Sequence, residues 1–102
     1  MINYTIEIRA DAYEDVDKIS DWYSDRSSFV SERFKVELIQ SFYKIQNSPL
    51  AFARIKKGSR FRRFIMATFP YKIYYRIENN HITVLSIIHT SRSNAYIKRR
   101  LK

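Results

Sequence analysis

Four residues in the second half of the chain have side chains that could act on a phosphodiester: Lys72, His89, Arg92 and Tyr96. Metal-free cleavage of RNA requires a base for the 2′-hydroxyl, an acid for the leaving oxygen and cations for the added negative charge. Histidine titrates in a suitable range, and a tyrosine could serve if neighbouring cations made its phenol more acidic. Arginine and lysine could hold the phosphate. The residue types therefore permit nuclease chemistry, although a histidine at a strand end can equally be structural.

Basic side chains are concentrated in the same half of the chain. Residues 54–102 hold 13 basic and 1 acidic side chains, a net of +12, whereas residues 1–53 hold 6 basic and 9 acidic, a net of −3; together they give +9. Such asymmetry indicates a polyanionic or acidic partner. The candidate binding residues are Lys56, Lys57, Arg60, Arg62, Tyr74, Arg76, Lys98 and Arg99. For the basic tail at 98–100, a merely solvated role is the alternative.

Composition excludes several classes of function. Cysteine is absent, which excludes a disulfide scaffold, thiolate metal sites and a cysteine nucleophile and fits a reducing compartment. The single glycine, Gly58, excludes a glycine-rich phosphate loop. Two histidines eight residues apart with no clustered acid make no metal site. Since there is also no secretory signal and no apolar run of about 18 residues, we predict a cytoplasmic protein with no cofactor, metal or membrane association.

Hydrophobic patterning predicts one α+β domain over residues 1–102. Strands are predicted where apolar residues alternate, and helices where they recur every three or four positions. The predicted elements are a strand at 4–8, helices at about 10–24 and 29–47, strands at 61–68, 71–78 and 82–89, and a short helical tail at 93–102. We expect a β-α-α-β-β-β order in which an antiparallel sheet carries the helical hairpin on one face.

The dipeptide Asn79-Asn80 predicts a two-residue hairpin turn, because asparagine tolerates positive φ. The turn pairs Ile77 with Ile82, Tyr75 with Val84, Ile73 with Ser86, and Tyr71 with Ile88. This mostly apolar face should pack on the helices. The other face would then be free of helices and would carry Lys72, Tyr74, Arg76 and His89, the last of them opposite Pro70. On that face Tyr74 is the candidate for stacking on a base.

Two segments of the second half resemble the RelE/ParE superfamily of bacterial toxins. One is the run 64–76, centred on Phe-Pro-Tyr-Lys-Ile-Tyr-Tyr-Arg, and the other is the run 84–92, which ends in His-Thr-Ser-Arg. The acidic amphipathic first helix and the element order are similar as well, so the resemblance covers nearly the whole chain. It implies the toxin of a type II toxin–antitoxin pair and a cognate antitoxin that wraps and neutralises it.

One branch of the superfamily implies an enzyme. RelE-like toxins cut messenger RNA in the ribosome without a metal. Arg92 and Tyr96 match positions that these toxins use for phosphate binding and for activating or stacking on the substrate. Lys56 and Lys57 lie in the region that supplies their lysines. The resemblance thus implies a metal-independent endoribonuclease as one alternative.

The other branch implies an inhibitor without such chemistry. ParE-like toxins poison DNA gyrase. Two positions that carry arginine in the RelE pattern are Lys72 and Thr90 in this chain. The sequences of the two resembling segments are closer to those of ParE toxins. We therefore favour a ParE-like toxin that acts on DNA gyrase and is not an enzyme, with the RelE-like nuclease as the alternative. A third alternative is a nucleic-acid-binding module whose basic face only holds phosphates.

Overall fold

The computed structural model describes residues 3–101. Its elements are β1 Thr5–Ile8, α1 Ala10–Ser24, α2 Ser28–Asn47, β2 Phe61–Ile65, β3 Tyr71–Glu78, β4 His81–His89 and α3 Asn94–Arg100. The four strands form one sheet in the order β1-β4-β3-β2. The predicted α+β class and element order are confirmed, although β2 ends three residues earlier than predicted.

The sheet is mixed rather than antiparallel. β3 pairs with β2 and with β4 in antiparallel fashion, whereas β1 pairs with β4 in parallel. The prediction of an antiparallel sheet is therefore wrong for β1. Hairpin turns fix the direction of neighbouring strands, but β1 reaches β4 only after the helices have carried the chain away, and such long connections permit parallel pairing.

A local hydrogen bond marks the start of the second helix of the hairpin. The Ser27 hydroxyl caps α2 by accepting the backbone N–H of Val30 at 3.3 Å. Within α2, Phe34, Leu38 and Ile45 recur at helical spacing and are buried against the sheet. The hairpin thereby covers one face of the sheet, which we call the helix face.

Two tyrosines of β3 lie in the core under the hairpin, as predicted. Tyr75 is fully buried and donates its hydroxyl to the carbonyl of Pro49 at 2.7 Å. Burial raises the pKa of Tyr75 to about 12. Burial, with a hydrogen bond to Tyr23, likewise raises the pKa of Tyr71 to about 12. Both phenols are packing residues that remain neutral at physiological pH.

A β-bulge divides the hairpin of β3 and β4 into two registers. Near the turn, Ile77–Ile82 and Tyr75–Val84 pair as predicted. Tyr74, however, pairs with Ser86, so Leu85 is an extra residue in β4. The predicted pairs Ile73–Ser86 and Tyr71–Ile88 are therefore wrong, and the observed pairs are Ile73–Ile87 and Tyr71–His89.

The bulge moves His89 to the helix face. A one-residue shift turns every later side chain of a strand to the other side of the sheet. His89 consequently lies beside Tyr71, with ring centroids 5.3 Å apart in an edge-to-face arrangement. The prediction that His89 stands opposite Pro70, on the side with Tyr74, is wrong.

The second face of the sheet is not free of helices. Tyr74 is only 2% exposed and forms a small apolar cluster with Leu85, Ile88 and Leu101. Leu101 follows α3 directly and Ile97 of α3 packs against the same cluster. The C-terminal helix thus covers the centre of this face, and the prediction that Tyr74 is open for stacking on a base is wrong.

Glu37 of α2 anchors the connection between β2 and β3. Its carboxylate accepts the backbone N–H of Thr68 at 3.1 Å. Burial by itself would raise the pKa of Glu37, but hydrogen bonds from the backbone of Thr68 and from neighbouring residues outweigh it and lower that pKa. The anchor is therefore strongest when the carboxyl group is ionised.

Replacing Glu37 with alanine is expected to lower the free energy of unfolding by about 1 kcal/mol at neutral pH, because a charged acceptor is lost. A carboxyl whose pKa is lowered on folding stabilises the fold above its unfolded pKa of about 4.3 and loses that contribution as pH falls through the folded pKa. Urea denaturation at neutral and acidic pH should therefore show the difference between wild type and variant shrinking in acid. Glu32→Ala, on the exposed side of α2, is the control. A pH-independent difference for Glu37→Ala would contradict the prediction.

Candidate functional site

A basic groove of about 920 Å³ runs beside α3 on the second face of the sheet. Its walls come from the loop before β2, from β2 and β3, and from the segment that contains α3. Six cationic side chains line it: Lys56, Arg60, Arg63, Lys72, Arg92 and Lys98. We call these residues and the space between them the basic groove.

The charge of the basic groove is not balanced by carboxylates. Among residues 3–101, no aspartate or glutamate lines the groove. The ion pairs within the same range involve other cations: Arg9, Lys35, Arg76, His81 and Arg100. Such a concentration of one sign favours binding of an anionic partner.

A separate cleft of about 620 Å³ lies between α1 and the segment that follows β4. Trp22, Tyr71, His89 and Tyr96 are among its lining residues, and Arg92 borders both this cleft and the basic groove. We call it the histidine cleft. Three of the four nuclease candidates, His89, Arg92 and Tyr96, therefore line the histidine cleft together, and Lys72 lies in the basic groove.

His89 and Tyr96 are each held by neighbours within the chain. The His89 Nδ1 accepts the backbone N–H of Ser91 at 3.0 Å and lies 2.8 Å from the Ser91 hydroxyl. The Arg92 guanidinium stacks over the Tyr96 ring at 4.4 Å, a cation–π contact. The Tyr96 hydroxyl accepts a hydrogen bond from Arg100 at 3.1 Å. These contacts are consistent with structural roles for both residues.

Asp15 and Arg100 form a latch between α1 and α3 in the histidine cleft. The Asp15 Oδ2 accepts from Arg100 at 2.7 Å and from the backbone N–H of Ile87 at 2.9 Å. Partial burial acts to lower the pKa of Arg100, but the hydrogen bond with Asp15 outweighs it and raises that pKa. The latch positions the cations of α3 over the sheet.

The other predicted binding residues are dispersed around the groove. Arg62 is turned away, because it donates to the carbonyls of Phe52 at 2.7 Å and Leu50 at 3.3 Å. Arg76 is paired with Glu78 at 3.4 Å. Lys57 and Arg99 are exposed but do not line the groove.

Arg63 was not among the predicted binding residues, yet it lies in the basic groove. Side chains alternate along a strand, so residues 61 and 63 point to one side of β2 and Arg62 points to the other. Arg62 and Arg63 therefore cannot both face the groove. Arg63 pairs across the sheet with Tyr74, which also lines the groove. Burial raises the pKa of Tyr74, although the nearby charge of Arg63 acts to lower it.

Cations dominate the basic groove, and its lysines, Lys56, Lys72 and Lys98, are its candidates for proton transfer. Over residues 3–101 its lining includes neither a histidine nor a carboxylate. Its tyrosine, Tyr74, is buried and has a raised pKa, which disfavours action as a base. The described side chains of the groove are thus better suited to hold an anion than to cleave it.

The described residues offer neither a metal site nor a membrane-spanning helix. Between residues 3 and 101, no group of three histidine, cysteine, aspartate or glutamate side chains is arranged to hold a metal ion. Within the same range, no helix combines the length and apolar character needed to cross a membrane.

Solved toxin structures share this fold. A chain of the chromosomal ParDE toxin–antitoxin system from P. aeruginosa aligns with a TM-score of 0.77 at 15% identity, covering 89% of this chain and 100% of that one. The free E. coli RelE toxin, as a mutant, aligns with a TM-score of 0.60 at 19% identity, covering 95% and 97%. The RelBE2 toxin–antitoxin complex from Mycobacterium tuberculosis aligns with a TM-score of 0.57 at 17% identity, covering 86% and 99%. The fold is therefore that of the RelE/ParE superfamily of toxins.

The family within that superfamily follows from sequence. The family model described as the ParE toxin of the type II toxin–antitoxin system parDE matches residues 6–94. The chain belongs to this family and is a ParE-type toxin of a toxin–antitoxin system. A search of curated proteins finds no match.

Proposed function

We propose that this ParE-type toxin inhibits DNA gyrase by binding to it and is neutralised by a cognate antitoxin. Membership of the ParE family supports the proposal. The observation that carries it is the engagement of His89 and Tyr96 by neighbours within the chain. Both line the histidine cleft together with Arg92, whereas five further cations line the basic groove.

That engagement favours binding over catalysis. Cleavage of RNA requires proton transfer and charge stabilisation at one phosphate, within hydrogen-bond reach of the same few atoms. Tyr96 is instead engaged by Arg100, and His89 accepts from Ser91. An inhibitor that only binds its target needs complementary charge and shape, which the basic groove supplies.

The proposed antitoxin has support from similar structures. Two of them come from toxin–antitoxin systems, the ParDE system of P. aeruginosa and the RelBE2 complex of M. tuberculosis. By analogy, this chain would be bound by a partner encoded beside it. Both that partner and DNA gyrase would be met in the cytoplasm.

A RelE-like endoribonuclease is the second candidate. Arg92 borders both clefts and stacks on Tyr96, so one cation of the basic groove already lies beside that tyrosine. The likeness to the free RelE toxin extends over 95% of this chain.

The purified chain is expected to inhibit supercoiling of relaxed plasmid by DNA gyrase and to leave messenger RNA intact in a cell-free translation reaction. The physical reason is that the groove offers six cations for binding but, over residues 3–101, neither a histidine nor a carboxylate for proton transfer. Plasmid topology on agarose gels and the length of a reporter message measure the two activities. The antitoxin encoded in the neighbouring reading frame should abolish the inhibition when it is added in equimolar amount.

Tyr96→Phe separates the two candidates. A nuclease that uses the Tyr96 hydroxyl would lose message cleavage in this variant, whereas gyrase inhibition should persist. Cleaved messages together with unaffected supercoiling would refute the gyrase proposal and favour the RelE-like alternative.

A further inference from the structure

We propose that the basic groove binds the sugar-phosphate backbone of duplex DNA. The inference rests on the proposed function, because DNA gyrase holds duplex DNA and would present it to an inhibitor bound nearby. The toxin would then contact DNA as well as protein, and its affinity for the complex of gyrase and DNA would depend on the salt concentration.

The distribution of the groove cations fits a ligand with repeated charges. They come from separate parts of the chain: the loop before β2, β2 itself, β3 and the segment that contains α3. A single anionic group could meet only some of them. A phosphate backbone, which carries one charge per nucleotide, can meet cations spread along a groove.

The groove is suited to phosphates rather than to unpaired bases. Proteins that bind single strands stack bases on exposed aromatic rings, but Tyr74 is buried and Phe61 is part-buried. Short polar side chains, which commonly contact phosphate and sugar, line the groove instead: Ser59, Thr90 and Asn94. We therefore expect little dependence on base sequence.

The apolar part of the groove disfavours an acidic peptide as the ligand. An amphipathic peptide gains affinity by inserting apolar side chains into a groove. Here Tyr74 and Leu101 are already buried against each other in one cluster. Ile55, Phe61 and Ile97 also line the groove but are only part-exposed, whereas Lys56, Arg60 and Lys98 are exposed. The most accessible part of the groove is therefore its cationic rim, which can contact a phosphate backbone without apolar anchors.

The test compares two triple variants with the wild-type toxin. In the groove variant, exposed cations are neutralised: Lys56→Gln, Arg60→Gln and Lys98→Gln. The control variant loses the same residue types from the exposed side of α2: Arg33→Gln, Lys35→Gln and Lys44→Gln. All six side chains are exposed, so both variants should fold, which circular dichroism would verify.

Binding to a fluorescein-labelled DNA duplex is measured by anisotropy over a range of salt concentrations. Each phosphate contact contributes about 0.9 to the slope of log K against log salt. We expect the groove variant to lose about 3 from the magnitude of that slope and to bind about 100-fold more weakly near 0.1 M salt. The control variant should lose far less of both.

Parallel titrations identify the source of the anion. The toxin should bind duplex DNA more tightly than an RNA duplex of the same sequence. It should also bind duplex DNA more tightly than a polyglutamate peptide. Tighter binding to RNA would overturn the assignment to DNA, and tighter binding to polyglutamate would overturn the assignment to a phosphate backbone. Equal losses in the groove and control variants would show that the groove is not the site.

The gyrase assay distinguishes this inference from the function on which it rests. A groove variant that no longer binds DNA should inhibit supercoiling less strongly than the control variant. Undiminished inhibition would overturn the role of the groove but leave the gyrase proposal standing. If the wild-type toxin binds DNA as expected and yet does not affect gyrase, the proposed function fails while the DNA site is retained.

Discussion

Replacing Asp15 with alanine is expected to lower the free energy of unfolding by about 3 kcal/mol, because two hydrogen bonds lose their acceptor. The Arg100 guanidinium and the backbone N–H of Ile87 both donate to the same carboxylate oxygen. The Asp15 side chain is only 12% exposed, so water would replace the acceptor poorly. Urea denaturation followed by circular dichroism measures the change.

Asp17→Ala is the matched control. Asp17 lies on the same helix but is exposed, so its removal should change stability by no more than about 0.5 kcal/mol. Loss of the Asp15 latch should also loosen α3, which hydrogen exchange of the amides of α3 would detect as faster exchange. Similar stability for the two variants would mean that Asp15 does not hold α3 in place.

The Asp15 latch illustrates a contact that sequence could not reveal. α1 and α2 were predictable because their apolar spacing and the Ser27 cap are local features. In the sequence, Asp15 is one of several acidic residues of the amphipathic first helix, and only the fold brings it to Arg100, 85 residues away. Its second contact is with the backbone N–H of Ile87 in β4. Ile87 lies beyond Val84, the last residue of β4 that pairs with β1.

The bulge at Leu85 set a second limit on prediction. The turn at Asn79-Asn80 correctly gave the pairs nearest to it, and Asn79 has the positive φ of 54° that such turns require. An extra residue in a strand cannot be recognised from hydrophobic alternation when both faces of the strand are buried, as they are in the run 82–88. The side of the sheet occupied by His89 therefore could not be predicted.

The excess of basic residues along the second half of the sequence was predictable, but the positions of these residues in the fold were not. The excess of basic residues after position 53 indicated an anionic partner. Which of the cations act together depends on α3 and the loop before β2, neither of which has an extensive apolar pattern. The structure selects Arg63 and Lys72 for the groove and turns Arg62 towards the loop at 50–52.

Tyr74→Ala is expected to lower the free energy of unfolding by about 3 to 4 kcal/mol, because a large buried ring leaves a cavity. Tyr74 packs with Leu85, Ile88 and Leu101, so its loss removes contacts from the sheet and from the end of α3. Thermal and urea denaturation measure the change. The size of the effect depends on burial, which distinguishes a core tyrosine from a surface platform for bases.

Tyr43→Ala provides the comparison, since Tyr43 is 63% exposed on α2 and its truncation should alter stability by no more than about 0.5 kcal/mol. A platform for bases would behave in the opposite way from a core residue: Tyr74→Ala would keep full stability and would weaken binding to single-stranded nucleic acid. Because the structure buries Tyr74 beneath α3, we expect the loss to appear in stability first. The affinity of the variant for duplex DNA is measured below its unfolding transition. Any decrease in that affinity should come indirectly, through displacement of α3 and its cations.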